Sequence, residues 1–230
     1  MKKAGFTLVE LSIVLLIMAL VVGGVMTGRL LIESAETRQL MKRYEEINLS
    51  IKAFQLKYNA IPGDMNNATT MWGAVASPPG QTANGNGDGL VLGCGDETRR
   101  AFEHLTLAEL YPGSYNPDGA SPSDAIGVTF PATPYALHGI RVISNTGLTG
   151  PYIRYNYKNI ISYGQVGATC LNTAPTIHTD IELYEIDRKF DDGKPTTGRI
   201  LGWGCIDSWI TAFPNYTAAG TACAAWYPVE

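Results

Sequence analysis

Three carboxylates lie close together in the last quarter of the chain, where they could coordinate a hard cation. Asp187, Asp191 and Asp192 fall in one short segment that ends at Pro195, and carboxylate oxygens are ligands that Ca²⁺ prefers. The same segment contains Asp-Gly and Lys-Pro pairs, which are typical of turns. It is therefore either a cation site or an ordinary turn.

A second candidate cation site lies earlier, in a glycine-rich stretch. Asn84, Asn86 and Asp88 occupy alternate positions before Gly89, a spacing that resembles the first half of an EF-hand calcium loop. The bidentate glutamate that closes such a loop is missing from the expected position. The three residues are calcium candidates, and a plain Asn/Gly loop is the competing interpretation.

The histidines form no catalytic or metal-binding pattern. His104, His138 and His178 are far apart and have no recognisable ligand spacing. The sequence contains no GxSxG, HExxH or P-loop motif. We therefore predict that the protein is not an enzyme and requires no cofactor, with calcium as the one ligand that the acidic segments favour.

The four cysteines form no CxxC pair, which argues against a zinc ribbon. Disulfides are the natural interpretation if this part of the chain is exported. We favour a short Cys205–Cys223 loop and a longer Cys94–Cys170 loop. Because four cysteines permit three connectivities, the alternatives stay open, as does a set of buried free thiols.

The chain begins with an apolar segment that contains a single charge. From Phe6 to Gly28 every residue except Glu10 is uncharged, and about 20 such residues span a bilayer as a helix. Lys2 and Lys3 precede the segment and place the N-terminus in the cytoplasm. A carboxylate inside a membrane helix is costly, so we expect Glu10 to be functional.

The residues around Glu10 carry a family resemblance. The run Ala4–Leu11 (AGFTLVEL) resembles the class III signal of type IV pilins and type II secretion pseudopilins. The resemblance implies that a prepilin peptidase cuts after Gly5 and that Phe6 is then N-methylated. It also implies that Glu10 serves assembly, where it can neutralise the new amine, most plausibly on a neighbouring subunit. An ordinary secretory signal and a plain signal anchor are the competing interpretations.

An amphipathic pattern continues the helix beyond the apolar segment. Its apolar residues recur at spacings of three and four, which indicates one face of a helix: Leu40, Tyr44, Ile47, Ile51, Phe54 and Tyr58. We predict one helix from Phe6 to near Tyr58, stopped by Pro62-Gly63. Gly23-Gly24 is the place where we expect bending or local melting.

The rest of the chain predicts a mixed head. A short helix is expected from Arg99 to Tyr111, with Asp96 or Thr98 as its cap and Pro112-Gly113 as its end. Segments rich in Ile, Val, Tyr and Trp predict strands, namely Gly139–Ser144, Tyr152–Tyr157, Ile181–Asp187 and Arg199–Trp203.

Together these patterns predict an α+β, pilin-like fold, in which a long N-terminal helix packs on an antiparallel sheet with long loops. The boundaries that we expect are residues 1–5 for a leader peptide, 6–28 for the membrane and filament-core half of the helix, 29–60 for its amphipathic half, and 61–230 for the globular head. The formal net charge of −4 predicts no specific nucleic-acid partner.

The leading hypothesis is a structural subunit of a type IV pilus or a type II secretion-like pseudopilus. The resemblance implies the following partners: other copies of this chain and further pilin-like subunits in a helical filament, a prepilin peptidase, an inner-membrane platform protein and an assembly ATPase. We expect a single-pass inner-membrane protein before assembly and a periplasmic or extracellular filament afterwards. The alternatives are a monomeric, membrane-anchored binding or adhesive module, which could depend on calcium, and an anchored hydrolase.

Overall fold

The computed structural model describes residues 7–73, 84–92, 96–116, 125–135, 138–144, 157–165, 178–194, 197–203 and 222–229. The chain divides into two compact units, Met1–Met41 and Lys42–Glu230. The predicted α+β architecture is confirmed, since a long N-terminal helix is followed by an antiparallel sheet and short helices.

The first element is helix α1, Leu8–Tyr58, which has 51 residues. It remains helical through Gly23 and Gly24, so local melting is not observed there. It ends at Tyr58, because the next residue, Asn59, has a left-handed φ of 51°. The Asn59 N–H donates to the carbonyl of Gln55 at 2.8 Å. Asparagine is one of the few residues that adopt this conformation at low cost.

Within the second unit, α1 has one buried face. Tyr44, Ile47, Ile51 and Phe54 are each no more than 2% exposed, as the spacing of three and four predicts. The Tyr44 ring stacks on Tyr227 with a centroid distance of 3.7 Å. The helix therefore forms the core of the head together with the last strand of the sheet.

The sheet is antiparallel throughout its described pairings. Its strands are β1 His138–Ser144, β2 Asn159–Gln165, β3 His178–Thr179, β4 Leu201–Trp203 and β5 Ala222–Pro228. β2 pairs with β1 on one side and with β5 on the other. β5 also pairs with β3 and β4, so the last strand in the sequence joins the sheet together.

Of the four strand predictions, two are confirmed, one is wrong and one lies almost entirely outside the described residues. β1 matches the predicted Gly139–Ser144, and β4 covers the second part of the predicted Arg199–Trp203. The predicted strand Tyr152–Tyr157 lies outside the described residues except for Tyr157, which precedes β2. β2, β3 and β5 were not predicted.

The prediction of a strand at Ile181–Asp187 is wrong, because this segment belongs to helix α4, Asp180–Phe190. The strand was predicted from the Ile and Tyr content of the segment, which is typical of strands. In the fold, Leu183 and Asp187 are fully buried, and this spacing of four is the helical period. Because one of the buried residues on this face is an aspartate, the pattern of apolar residues alone did not indicate a helix.

Two further helices complete the head, α2 Ala68–Trp72 and α3 Asp96–Leu107. α3 starts three residues before the predicted Arg99 and ends before Tyr111. Asp96 and Thr98 therefore lie inside the helix and are not caps. The early start agrees with the preference for acidic residues in a first helical turn, and Glu109, with a φ of 61°, has already left the helix.

Candidate functional site

The start of α1 is organised by a reciprocal pair of hydrogen bonds between Thr7 and Glu10. The Thr7 N–H and hydroxyl both donate to Oε2 of Glu10 at 2.8 Å. The Glu10 N–H donates to the Thr7 hydroxyl at 3.2 Å. This arrangement is a capping box, which satisfies backbone donors that a helix N-terminus would otherwise leave free. Gly5 and Phe6, the predicted cleavage and methylation residues, lie outside the described residues.

The apolar half of α1 is exposed along its length. The large apolar side chains from Leu8 to Ile32 are between 49% and 85% exposed. α1 is long and apolar enough to cross a membrane, and none of its best 18-residue window is buried. Such a surface must be covered by lipid or by protein, which fits a membrane anchor of a prepilin-type protein.

The loop of residues 84–92 uses its predicted calcium-binding oxygens for its own hydrogen bonds. Oδ1 of Asn84 accepts from the Thr69 N–H at 2.8 Å. Oδ1 of Asn86 accepts from the Asp88 N–H at 2.9 Å, and Oδ1 of Asp88 accepts from the Leu90 N–H at 2.8 Å. These contacts are those of an Asn/Asp-stabilised turn.

A residue that the sequence patterns did not single out, Asp64, holds this loop in place. Its side chain is 3% exposed. Oδ1 accepts from the N–H groups of Gly87 at 2.7 Å and Asp88 at 3.1 Å, and Oδ2 accepts from Gly89 at 2.8 Å. A carboxylate that receives three backbone donors is well compensated for its burial. The turn in which it stands, Pro62-Gly63-Asp64, was the available signal.

The second acidic segment brings its three carboxylates together. One oxygen each from Asp187, Asp191 and Asp192 lies within 4.8 Å of the others. In the described part of the chain, no other group of three or more His, Cys, Asp or Glu side chains is this compact. Asp187 lies in the last turn of α4, and Asp191 directly follows the helix, with its N–H donating to the carbonyl of Asp187 at 2.7 Å.

The three carboxylates differ in their hydrogen bonds. Oδ2 of Asp191 accepts from the N–H groups of Arg199 and Ile200. Asp192 accepts from the Lys194 N–H at 2.9 Å and from the Thr197 hydroxyl at 2.5 Å. Asp187 is fully buried, and neither of its oxygens has a hydrogen-bond partner.

The surroundings of Asp187 disfavour its charged form. Burial, together with the negative charges of Asp191 and Asp192, raises its pKa from 3.8 to about 7, although the backbone N–H of Gly193 acts in the opposite direction. Desolvation removes the water that stabilises a carboxylate, and neighbouring carboxylates repel it. Among the described residues, Asp187 is therefore the least compensated of the three carboxylates.

The histidines and cysteines add no site among the described residues. His104 is buried, and its Nδ1 accepts from the Gly63 N–H at 2.9 Å. His138 starts β1 and His178 starts β3, so the structure does not group them. Cys94, Cys170 and Cys205 and the side chain of Cys223 lie outside the described residues, and their pairing stays a prediction.

The comparisons with known proteins find a family match for the N-terminal segment. Residues 1–26 match a family model described as the prokaryotic N-terminal methylation motif, and this range includes Gly5, Phe6 and Glu10. No curated protein and no solved structure matches the chain. Proteins with this motif are structural and not enzymatic. The chain therefore carries the prepilin-type cleavage and methylation signature of type IV pilins and pseudopilins, and the motif supports a pilin-like or pseudopilin precursor.

Proposed function

We propose that the protein is a structural subunit of a type IV pilus or a type II secretion-like pseudopilus, polymerised through α1. The methylation motif at residues 1–26 carries this proposal, and it implies processing by prepilin peptidase and assembly into pilus-type filaments. The exposed apolar residues of α1 between Leu8 and Ile32 support it independently.

The apolar surface of α1 explains why such a subunit would polymerise. Each square ångström of apolar surface removed from water stabilises by about 25 cal/mol, so a helix that leaves the bilayer needs a new apolar environment. Equivalent helices of other copies provide one. Because a head-to-tail contact does not close on itself, repetition of the contact yields a helical filament.

Glu10 has a different role before and after cleavage in this proposal. In the uncleaved chain it completes the capping box with Thr7. Removal of residues 1–5 creates an ammonium group on Phe6, and this cation competes for the same carboxylate. In a low-dielectric filament core, an ammonium of a neighbouring subunit paired with Glu10 would avoid an uncompensated charge and fix the axial register.

Such a subunit needs proteins that process it and assemble it into a filament. A prepilin peptidase would process the chain, and an inner-membrane platform protein with a cytoplasmic assembly ATPase would extract it from the inner membrane. The head would then lie in the periplasm or on an extracellular filament.

A Glu10→Ala variant tests the proposal in the native host. Surface filaments are sheared off and examined by electron microscopy, and mass spectrometry identifies their subunits. We expect wild-type filaments to contain chains that begin at methylated Phe6. The Glu10→Ala chain should be cleaved normally but fall at least about tenfold in the filament fraction, because an interaction of about 1.4 kcal/mol already corresponds to tenfold.

Glu33→Ala is the matched control, because it removes the same side chain from the same helix beyond the apolar stretch. It should enter filaments like the wild type. If the wild-type chain is processed but never found in filaments, and Glu10→Ala changes nothing, the monomeric anchored binding module is the better description. Turnover of a defined substrate by the detergent-solubilised chain would instead support a hydrolase.

A further inference from the structure

The turn that follows α1 is held by a buried histidine of α3. His104 is completely buried, and its Nδ1 accepts a hydrogen bond from the Gly63 N–H at 2.9 Å. Gly63 has a φ of 94°, and a Cβ at this position would collide with the backbone carbonyl of Glu97. The turn therefore lies directly against α3, and the hydrogen bond to His104 joins the two.

This hydrogen bond requires the neutral form of His104. A neutral imidazole has one nitrogen that accepts and one that donates. Because Nδ1 receives the Gly63 N–H, the proton of the neutral ring is assigned to Nε2. A second proton would bind Nδ1 and place its N–H opposite that of Gly63. Protonation therefore replaces a buried hydrogen bond by a repulsive contact between two donors.

Two carboxylates extend the contact to the loop of residues 84–92. Asp64, directly after Gly63, accepts from the N–H groups of residues 87–89. Glu97, in the first turn of α3, accepts from the N–H groups of Asn86 and Leu92, each at 3.1 Å. Three side-chain acceptors, Asp64, Glu97 and His104, thus form a clasp between the turn, the loop and α3.

The surroundings of His104 are aromatic on two sides. Its ring centroid lies 6.3 Å from that of Phe54 on α1 and 5.8 Å from that of Trp72 on α2. α2 itself carries no ionisable residue. An imidazolium in this buried place would lose the hydration that stabilises it in water, so burial acts in the same direction as the contact with Gly63.

The other elements around His104 carry charges of both signs. The ionisable residues closest in sequence to its contacts, and those on β1, which packs on α3, are Lys52, Lys57 and Tyr58 on α1, Asp64 in the turn, Glu97, Arg100 and Glu103 on α3, and His138 and Arg141 on β1. The carboxylates favour an imidazolium and the lysines and arginines oppose it, so these charges partly offset one another. The direct contact with the Gly63 N–H therefore decides which form fits.

We propose that the clasp is an acid-sensitive switch, in which protonation of His104 releases the turn after α1 from α3 and loosens the loop of residues 84–92 that Asp64 holds. Histidine is the side chain whose charge ordinarily changes between pH 5 and 8, so His104 is the member of the clasp that mild acid reaches. The switch belongs to the head and does not rest on filament assembly.

Thermal melts of the full chain in detergent test the switch. A histidine that is neutral when folded binds fewer protons in the folded chain than in the unfolded one, so its contribution to stability is present at pH 7.5 and is lost as the pH falls to 5. In His104→Asn, the Asn Oδ1 can occupy the place of Nδ1 and accept from Gly63 without titrating. Between these pH values, the melting temperature of the wild type should fall by about 4–8 °C more than that of His104→Asn.

Hydrogen exchange of the wild type locates the opening and does not require that a variant folds. After correction for the intrinsic effect of pH on exchange, the amides of Gly63 and of residues 87–89 should exchange several-fold faster at pH 5 than at pH 7.5. The Asn59 amide, which donates to the carbonyl of Gln55 at the end of α1, is the internal control and should not respond.

His138→Asn is the matched control, because it removes the histidine that starts β1 and leaves the clasp intact. It should keep the wild-type response to pH. Nitrogen NMR of histidine-labelled protein should show Nδ1 of His104 without a proton at pH 7.5. The proposal is overturned if that nitrogen carries the proton, if the wild type and His104→Asn lose stability in parallel, if His138→Asn abolishes the response, or if the amides of Gly63 and residues 87–89 exchange alike at both pH values.

Discussion

The head contains two acidic loops built from the same residue types but completed in different ways. In residues 84–92, the carboxylate at the centre is Asp64, which accepts from three backbone N–H groups. In the described residues 187–194 and 197–200, the most deeply buried carboxylate is Asp187, near which the Gly193 backbone is the one donor that lowers its pKa. Both segments contain Asp-Gly pairs that predict turns equally well.

The comparison shows what distinguishes a structural carboxylate from a candidate ligand. It is the number of backbone N–H groups that donate to the carboxylate, and not the number of acidic residues in the loop. The chain wraps residues 87–89 around Asp64, so that loop needs no ion. In the second loop, the loop residues donate hydrogen bonds to Asp191 and Asp192, whereas Asp187 lies on α4 before the loop.

Replacing the central carboxylate of the first loop should have the largest effect. Asp64→Ala leaves three backbone donors without their acceptor in a buried place, and each such donor costs about 1–3 kcal/mol when no water replaces the partner. We expect a loss of about 3 kcal/mol in the free energy of unfolding, measured by chemical denaturation followed by near-ultraviolet circular dichroism.

Asp88→Ala is the control for this prediction, because the Asp88 carboxylate is exposed and accepts only from Leu90 and Asn86. It should cost less than about 1 kcal/mol. Equal losses for the two variants would contradict the view that Asp64 is the organising residue.

The glycines of the two loops allow a sharper comparison. Gly198 has a φ of 82° and Gly89 has a φ of 84°, so an alanine is strained at both positions by about 1 kcal/mol. A Cβ at Gly198 would in addition collide with the Asp191 carboxylate, whereas the space at Gly89 is open.

We therefore expect Gly198→Ala to cost about 2 kcal/mol and Gly89→Ala about 1 kcal/mol, measured by chemical denaturation. If both variants lose the same stability, the close approach of Gly198 to Asp191 has no energetic consequence.

Neutralising Asp187 should have the smallest effect on stability, and the effect should be favourable when Ca²⁺ is absent. Its pKa is about 7 in the folded chain against an ordinary value of 3.8. A carboxyl whose pKa is raised by folding contributes its full stability below pH 3.8 and loses it as the pH rises to about 7.

In the presence of a chelator, Asp187→Asn should therefore be more stable than the wild type at pH 8 by about 1 kcal/mol and equal to it near pH 4. Thermal melts at the two pH values measure this difference. A variant that is less stable under all conditions would show that Asp187 has a partner in the folded chain.

Much of the architecture could be predicted from the sequence, and the failures have identifiable causes. The spacing of three and four in α1 predicted its length and its buried face, and β1 was recognised from its apolar residues. α4 was predicted as a strand because its buried face includes Asp187, which an apolar pattern does not count. β4 starts only at Leu201 because the N–H groups before it are used by Asp191.

The sequence by itself determined the processing motif and the apolar helix at the N-terminus. The prepilin-type motif, its glutamate and the apolar helix are local features, in which each residue acts on neighbours within a few positions, so their order in the chain is sufficient. Even the capping box of Thr7 and Glu10 depends on a spacing of three.

Only the tertiary structure decided the roles of the acidic residues in the head. Asp64 meets residues 87–89, and Asp191 meets residues 199 and 200, across intervening chain whose path the sequence pattern does not specify. Burial and backbone donors are set by that path, and they make Asp64 a structural anchor and Asp187 a candidate ligand.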